Sequence, residues 1–195
     1  MNKGDYLEAL LRSSQTVFNV KSAMLIWGES DKTIVSNRLF YYASRGKLRR
    51  LCYGVYAKDA NYSAFELANK IYTPSYITFE TVLLEAGIIF QYYESIFVAS
   101  YARRDIQVDE IKISIRKLKN NLLTNPQGIQ HINGYAIATP ERAVLDMLYI
   151  TKDYYFDNLF GLNWELAFSL LPIYENKRLC KTFELLFKEF KEKVQ

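Results

Sequence analysis

Apolar positions recur with a helical period three times in the first third of the chain. Over 4–14, Tyr6, Leu7, Leu10 and Leu11 share one face, which predicts a first helix. Thr16-Val17-Phe18 is a short extended piece. Asn19 is a good N-cap for a second helix, Val20 to Trp27, with Ala23, Met24 and Trp27 inward and Gly28 ending it. GESDK at 28–32 is a turn, with Ser30 the candidate cap of a third helix. That helix, 31–45, sets Ile34, Val35, Leu39, Tyr42 and Ala43 on an apolar face. Gly46 stands where a left-handed cap is expected. Lys47 to Leu51, a turn at Gly54 and the return Val55-Tyr56 then predict a basic hairpin. Three helices and a hairpin within residues 1–58 is the layout of a winged helix-turn-helix: a recognition helix followed by a wing.

KDANY at 58–62 reads as a joint, dividing the chain into 1–58 and 59–195. A helix is predicted from Tyr62 to Tyr72, stopped by Pro74. Ser75-Tyr76-Ile77 is extended, and Thr78 can cap a helix from Phe79 to Ala86 that Gly87 closes. The period then changes. Glu94 to Tyr101 and Ile111 to Lys117 read as strands; in the second, Ile111, Ile113 and Ile115 alternate with Lys112, Ser114 and Arg116. Asn125-Pro126-Gln127-Gly128 matches a type I turn, and Asn133-Gly134 is a strong hairpin signal. Thr139 and Pro140 open a helix with Ala143, Val144, Met147 and Leu148 inward. Residues 163–171 and 177–194 are helical stretches, the last with a stripe of Phe183, Leu186, Phe187 and Phe190. The fold class is therefore α+β: an N-terminal winged helix-turn-helix followed by a mixed α+β C-terminal domain.

Half of the 195 residues are apolar, enough to bury a sizeable core. Charge sharpens the picture. Residues 1–58 hold ten Lys or Arg against four Asp or Glu, a net of +6 where the whole chain carries +4. The basic excess thus sits around the proposed recognition helix and wing, as expected for a polyanion partner. Two cysteines far apart are no disulfide framework. No apolar run suits a signal peptide or a membrane span, so the expected address is cytoplasmic, with no membrane partner.

On the third helix, Thr33, Ser36, Asn37, Arg38 and Tyr41 are the candidates for DNA base edges, Asn37 suiting adenine and Arg38 guanine. Tyr41 sits at a phase that fits either the DNA face or the core. Arg45, Lys47, Arg49 and Arg50 suit phosphates, which give affinity and position rather than sequence choice. Arg49 and Arg50 are adjacent on a strand and so point to opposite faces, leaving one to reach DNA and the other to pair or snorkel. A helix followed by a basic hairpin also occurs in proteins that touch no nucleic acid, with the charges a solvated face. Arg142 and Asp146, four apart on a helix, can form an intrahelical or core-closing ion pair or part of a functional surface. His131, the only histidine, has no metal-ligand spacing with Cys52 and Cys180 and reads as a strand residue. No nucleophile–base or phosphate-loop motif is present, so neither enzyme activity nor a metal or cofactor is expected.

Three strings in order, GKLRRLCYGVYAKD, TPSYITFETVLLEAGI and TPERAVLDML, span residues 46–148. Their conjunction resembles the AbiEi antitoxin family of bacterial abortive-infection toxin–antitoxin systems. The resemblance implies an N-terminal winged helix that binds inverted repeats in its own promoter and represses it. It implies a C-terminal domain that counteracts a nucleotidyltransferase toxin without a stable complex, with Arg142 and Asp146 as candidates for that antitoxin surface. Double-stranded promoter DNA is then the direct partner, read by a homodimer or by two copies on one duplex. Two other readings stay open: a winged-helix regulator whose C-terminal domain senses a ligand or dimerises, and an enzyme acting on nucleic acid.

Overall fold

The computed structural model describes residues 5–194; Met1 to Gly4 and Gln195, and with them the Gly4 start predicted for the first helix, lie outside the described residues. The chain is α+β and divides into two compact units. The first comprises residues 1–73 with 107–111 and 132–135; the second comprises 74–106, 112–131 and 136–195. Helix Ala64–Ile71 lies beyond the boundary expected after residue 58 yet belongs to the first unit, which continues to Thr73.

In the first unit, α1 (Asp5–Arg12), α2 (Val20–Trp27) and α3 (Lys32–Ser44) surround a core of Leu10, Phe18, Ala23, Trp27, Val35, Leu39, Tyr42, Leu48 and Tyr56. Strands β1 (Val17–Asn19), β2 (Arg49–Cys52) and β3 (Val55–Ala57) form an antiparallel sheet in the order β1-β3-β2, with a register shift between Arg50 and Cys52. The termini of the helices explain their bounds. The Asn19 side chain accepts from the Ser22 N–H at 2.9 Å while the Ser22 hydroxyl answers the Asn19 N–H at 3.0 Å, a capping box. Asp31, not Ser30, caps α3: one carboxylate oxygen takes both the Thr33 N–H at 2.7 Å and the Ile34 N–H at 3.1 Å. An ionised acceptor at that position is stronger than a hydroxyl one residue earlier.

At the other end, Gly46 has φ +65, its N–H bonds to Ala43 O at 3.0 Å and the Lys47 N–H to Tyr42 O at 2.8 Å. This is a Schellman closure. It turns Lys47 off the helix axis and drops Leu48 into the core. Helix α4 (Ala64–Ile71), capped by Ser63, is fastened to β1 by Glu66, whose Oε2 accepts the N–H groups of Thr16 and Val17, each at 2.8 Å.

The second unit is built on a six-stranded mixed sheet, order β6-β7-β5-β4-β9-β8, where β4 is Ser75–Ile77, β5 Ser95–Ser100, β6 Arg104–Val108, β7 Ile111–Lys117, β8 Ile129–Ile132 and β9 Tyr135–Ala138. β5 runs parallel to β7 through six paired positions, and β4 is antiparallel to β5 and parallel to β9. The alternation in β7 is realised: Ile113 and Ile115 are buried and Lys112 and Lys117 exposed. The helices are α5 (Glu80–Glu85), α6 (Asn120–Thr124), α7 (Pro140–Ile150), α8 (Trp164–Leu170) with a 3-10 turn at Leu171–Tyr174, and α9 (Lys177–Val194). Trp164 stacks on Phe183, Phe187 and Phe190 of the α9 stripe at 4.9–5.4 Å.

Thr139 caps α7 with Pro140 in its first turn, as predicted. Two turns differ from expectation. Thr78 caps nothing; its hydroxyl donates to buried Asp146 at 3.0 Å, and Phe79, at φ 56 and ψ −140, precedes α5 instead. The turn near Pro126 closes one residue later, from Ile129 N–H to Pro126 O, with Gly128 at φ +71. Glycine is required there, because a Cβ would lie 2.9 Å from the Arg142 Cβ and 3.0 Å from a Leu170 methyl. Asn133-Gly134, both at positive φ, form the predicted hairpin turn.

Candidate nucleic-acid interface

Helix α3 turns Val35, Leu39 and Tyr42 into the core, which leaves Thr33, Asn37, Phe40, Tyr41, Ser44 and Arg45 on its exposed side. No acidic residue follows Asp31 on this helix. Two hollows flank its crest. The one toward α1, about 1080 Å³, is lined by Ile34, Asn37, Arg38, Tyr41, Arg45 and Lys47 among others. The one toward the β2–β3 hairpin, about 340 Å³, is lined by Ser36, Asn37, Phe40, Arg50 and Tyr53 among others. Asn37 is common to both and is exposed, with two amide donors and a carbonyl acceptor on the ridge.

The sequence candidates therefore separate. Thr33, Asn37, Tyr41, Arg45 and Lys47 are exposed. Tyr41, whose phase fitted core or surface, is 54% exposed, and the Arg45 guanidinium lies 5.6 Å from its ring. Ser36 is half-buried on the hairpin side. Arg38 is the main departure. Its guanidinium carbon lies 3.7 Å from the Tyr6 ring centroid and 5.8 Å from that of Trp27, and its buried Nη1 has no hydrogen-bond partner. A guanidinium stacked on aromatic faces is held by cation–π attraction of about 0.5–2 kcal/mol and is not extended toward a groove.

The two hairpin arginines also part company. Arg49 donates to Asp109 Oδ2 at 2.9 Å, within the first unit, so its charge is already matched. The same carboxylate accepts the Tyr62 hydroxyl at 2.7 Å. That bond and Arg49 hold the Asp109 carboxyl below its ordinary range. Among the described residues Arg50 makes no ion pair; it lies 5.9 Å from the Phe40 ring and its Nε reaches Cys52 O at 3.5 Å. Arg50, Arg45 and Lys47 thus lie beside the C-terminal half of α3 without a carboxylate partner among the described residues. At the opposite end, Asp31 at the N-cap and Glu29 before it place negative charge ahead of α3.

Sequence reasoning missed two exposed aromatics on this face. Phe40, 55% exposed, stands one helical turn beyond Asn37, and Tyr53, 92% exposed, stands at the hairpin tip. The spacing Asn37–Phe40–Tyr41 was the available signal; an aromatic on the polar side of a helix is a surface feature, not a core one.

Arg142 and Asp146 are no surface. Both have zero side-chain exposure. Arg142 Nε reaches Asp146 Oδ1 at 3.3 Å, and its Nη atoms donate to Gln127 O and Leu122 O, each at 2.9 Å. Asp146 also accepts the hydroxyls of Tyr174 at 2.7 Å, Tyr76 at 2.9 Å and Thr78. Burial pushes the Asp146 carboxyl up, against the pull of Arg142 and these hydroxyls. Burial also opposes the Arg142 charge, but Asp146, Tyr174 and Tyr76 together hold its pKa above the ordinary value. The pair ties α7 to the turn before β8 and to α6; it is the core-closing alternative, realised.

His131 is exposed on β8, and among the described residues no group of three or more His, Cys, Asp or Glu could hold a metal ion. Among the same residues no helix is long and apolar enough to cross a membrane. The chain matches no protein-family model and no curated protein.

Proposed function

We propose that the first unit is a winged helix-turn-helix that sets α3 in the major groove of double-stranded DNA, with the β2–β3 hairpin as its wing. The observation that carries this reading is the acid-free outer face of α3, where Asn37 stands on a ridge and Arg45, Lys47 and Arg50 lie without carboxylate partners among the described residues. Asn37 is the base reader in this scheme, assisted by Thr33, Ser36 and Tyr41. Arg45, Lys47 and Arg50 meet phosphates. Arg38 braces the helix against Tyr6, and Arg49 braces the hairpin through Asp109.

The resemblance of the three motifs to AbiEi antitoxins supports the wider reading. In it the protein is a cytoplasmic autorepressor of its own promoter, reading two half-sites as a homodimer or as two copies. It counteracts a nucleotidyltransferase toxin, and it acts by binding rather than catalysis. The antitoxin surface lies elsewhere than at Arg142 and Asp146. Finding no nucleotidyltransferase gene beside this one would leave the regulator reading alone.

Fluorescence anisotropy on the protein's own upstream duplex, against a scrambled duplex across salt, tests the DNA reading. Asn37→Ala is expected to cost about 1–3 kcal/mol on the upstream duplex only. Lys47→Ala should weaken both duplexes alike and lower the salt slope by about 1. Equal binding of the two duplexes by the wild type, or no effect of either change, would sink the assignment of this face.

A further inference from the structure

A cavity of about 580 Å³ in the second unit takes no part in that reading. Its volume suits a small organic ligand. Glu80 lines it and is only 5% exposed. Glu80 Oε1 accepts from Arg116 Nη2 at 2.6 Å, whereas Oε2 is closed off from solvent and has no hydrogen-bond partner. A buried carboxylate oxygen left without a donor is destabilising, since it has given up water and received nothing in return. Arg116 is fixed by more than that pair: its guanidinium carbon lies 4.5 Å from the Phe97 ring centroid and 5.1 Å from that of Phe79.

The backbone that delivers Glu80 is strained. Phe79, at φ 56 and ψ −140, occupies a region that is nearly glycine's alone. Strain at Phe79 and an unmet oxygen at Glu80 are thus two separate costs at neighbouring residues, the second of them in the cavity wall. A ligand that satisfies Oε2 recovers the larger part of the second, which is how a pre-organised site differs from a packing defect.

The charge around the cavity selects the ligand. Arg103 and Lys117 line it and are exposed, and among the described residues their side chains have no hydrogen bond or ion pair. The other carboxylate in its wall, Asp105, accepts the Ser114 hydroxyl at 2.8 Å, a neutral donor that leaves its charge in place. Once Arg116 is matched with Glu80, the open side carries the cations Arg103 and Lys117 against the single anion Asp105 and keeps a positive excess, and the buried side wants a donor. Met147, Ile150 and half-buried Tyr154 supply an apolar wall between them.

We propose that this cavity binds a small organic phosphate of mononucleotide size. The phosphate sits between Arg103 and Lys117, and binding shifts the side chains beside Glu80 so that Oε2, otherwise closed off, accepts an N–H at the ligand's other end. The same chemistry is offered by a free nucleoside monophosphate and by the phosphorylated end of a nucleic acid strand.

Isothermal titration of the full chain with AMP, GMP, CMP and UMP, the four parent nucleosides and inorganic phosphate tests this. At least one monophosphate is expected to bind with a Kd below about 1 mM, with its nucleoside and inorganic phosphate at least tenfold weaker. Arg103→Ala/Lys117→Ala, both surface positions, should weaken that binding tenfold or more with an unchanged melting curve. Glu80→Gln should weaken the monophosphate but not inorganic phosphate. Competition by a 5′-phosphorylated tetranucleotide would assign the strand end as the source, and failure to compete would assign the free nucleotide. The proposal is overturned if no monophosphate saturates below about 10 mM, or if the double surface variant binds as tightly as the wild type. Upstream-duplex binding is unaffected by either result, so the two readings fail separately.

Discussion

Replacing Arg142 by Met tests whether the α7 pair holds the second unit together. The substitution keeps the apolar stem and removes the guanidinium. Asp146, with no exposure, then loses its cation and keeps only the hydroxyls of Tyr76, Thr78 and Tyr174. Breaking a buried ion pair from one side costs about 3–5 kcal/mol. The carbonyls of Gln127 and Leu122 also lose their donor, each worth about 1–3 kcal/mol when left buried and unmet. These costs overlap, so the expected loss is about 4–6 kcal/mol, a large part of the roughly 5–15 kcal/mol of a typical domain.

In urea, followed by circular dichroism and tryptophan fluorescence, the midpoint should fall by about 2–3 M for a slope near 2 kcal/mol/M. Because burial already raises the Asp146 carboxyl and Arg142 opposes that rise, removing Arg142 raises it further. Protonation of the folded form then relieves the unpaired charge, so the deficit grows as pH increases through that raised value and shrinks on acidification. Arg142→Met/Asp146→Leu, with neither charge left, should be more stable than the sum of the single losses by about 2 kcal/mol or more. A loss under about 1 kcal/mol for Arg142→Met, or strict additivity in the double variant, would refute the reasoning.

Glu66→Ala strips the acceptor shared by the Thr16 and Val17 N–H groups and should destabilise the first unit by about 2–4 kcal/mol, read as protected amides at β1 becoming fast in hydrogen exchange. Burial and the Asp109 hydrogen bond push the Tyr62 hydroxyl up to about 12. Its contribution to stability is therefore complete below the ordinary value of 10.0 and lost as pH rises toward 12; Tyr62→Phe should abolish that alkaline loss in thermal melts taken across this window. Gly128→Ala forces a Cβ against Arg142 and Leu170 at positive φ, and a drop of about 2–4 kcal/mol in urea unfolding is expected; an unchanged midpoint would mean the turn can relocate.

Local signals carried most of the secondary structure. Asn19, Gly28, Gly46, Asn133-Gly134 and Thr139-Pro140 act within four residues of themselves, so their caps and turns could be read without tertiary knowledge. The α+β class followed from the change of period near residue 94. Where expectation and structure differ, a distant partner decided the matter. Thr78 gives up its cap because Asp146, sixty-eight positions away, offers a buried carboxylate. Glu66 carries α4 to the first unit, past the joint at 58–62, by accepting the Thr16 and Val17 N–H groups.

For the candidate interface, the sequence by itself determined which residue types lie on α3, that Val35, Leu39 and Tyr42 face inward, and that the basic excess gathers around it; Ile34, expected on the same inward face, is 43% exposed because it stands at the edge of that stripe, beside the hollow toward α1. Only the tertiary structure decided which of those cations are free. Arg38 and Arg49 look identical to Arg45 and Arg50 along the chain, but Tyr6 and Asp109 take the first two. Likewise the i,i+4 spacing of Arg142 and Asp146 fits a surface pair as well as a buried one, until the turn before β8, α6 and the 3-10 turn close over them. A helical period reports where a side chain points. Whether solvent, a ring or a carboxylate waits there depends on contacts between residues far apart in sequence, which no local pattern encodes.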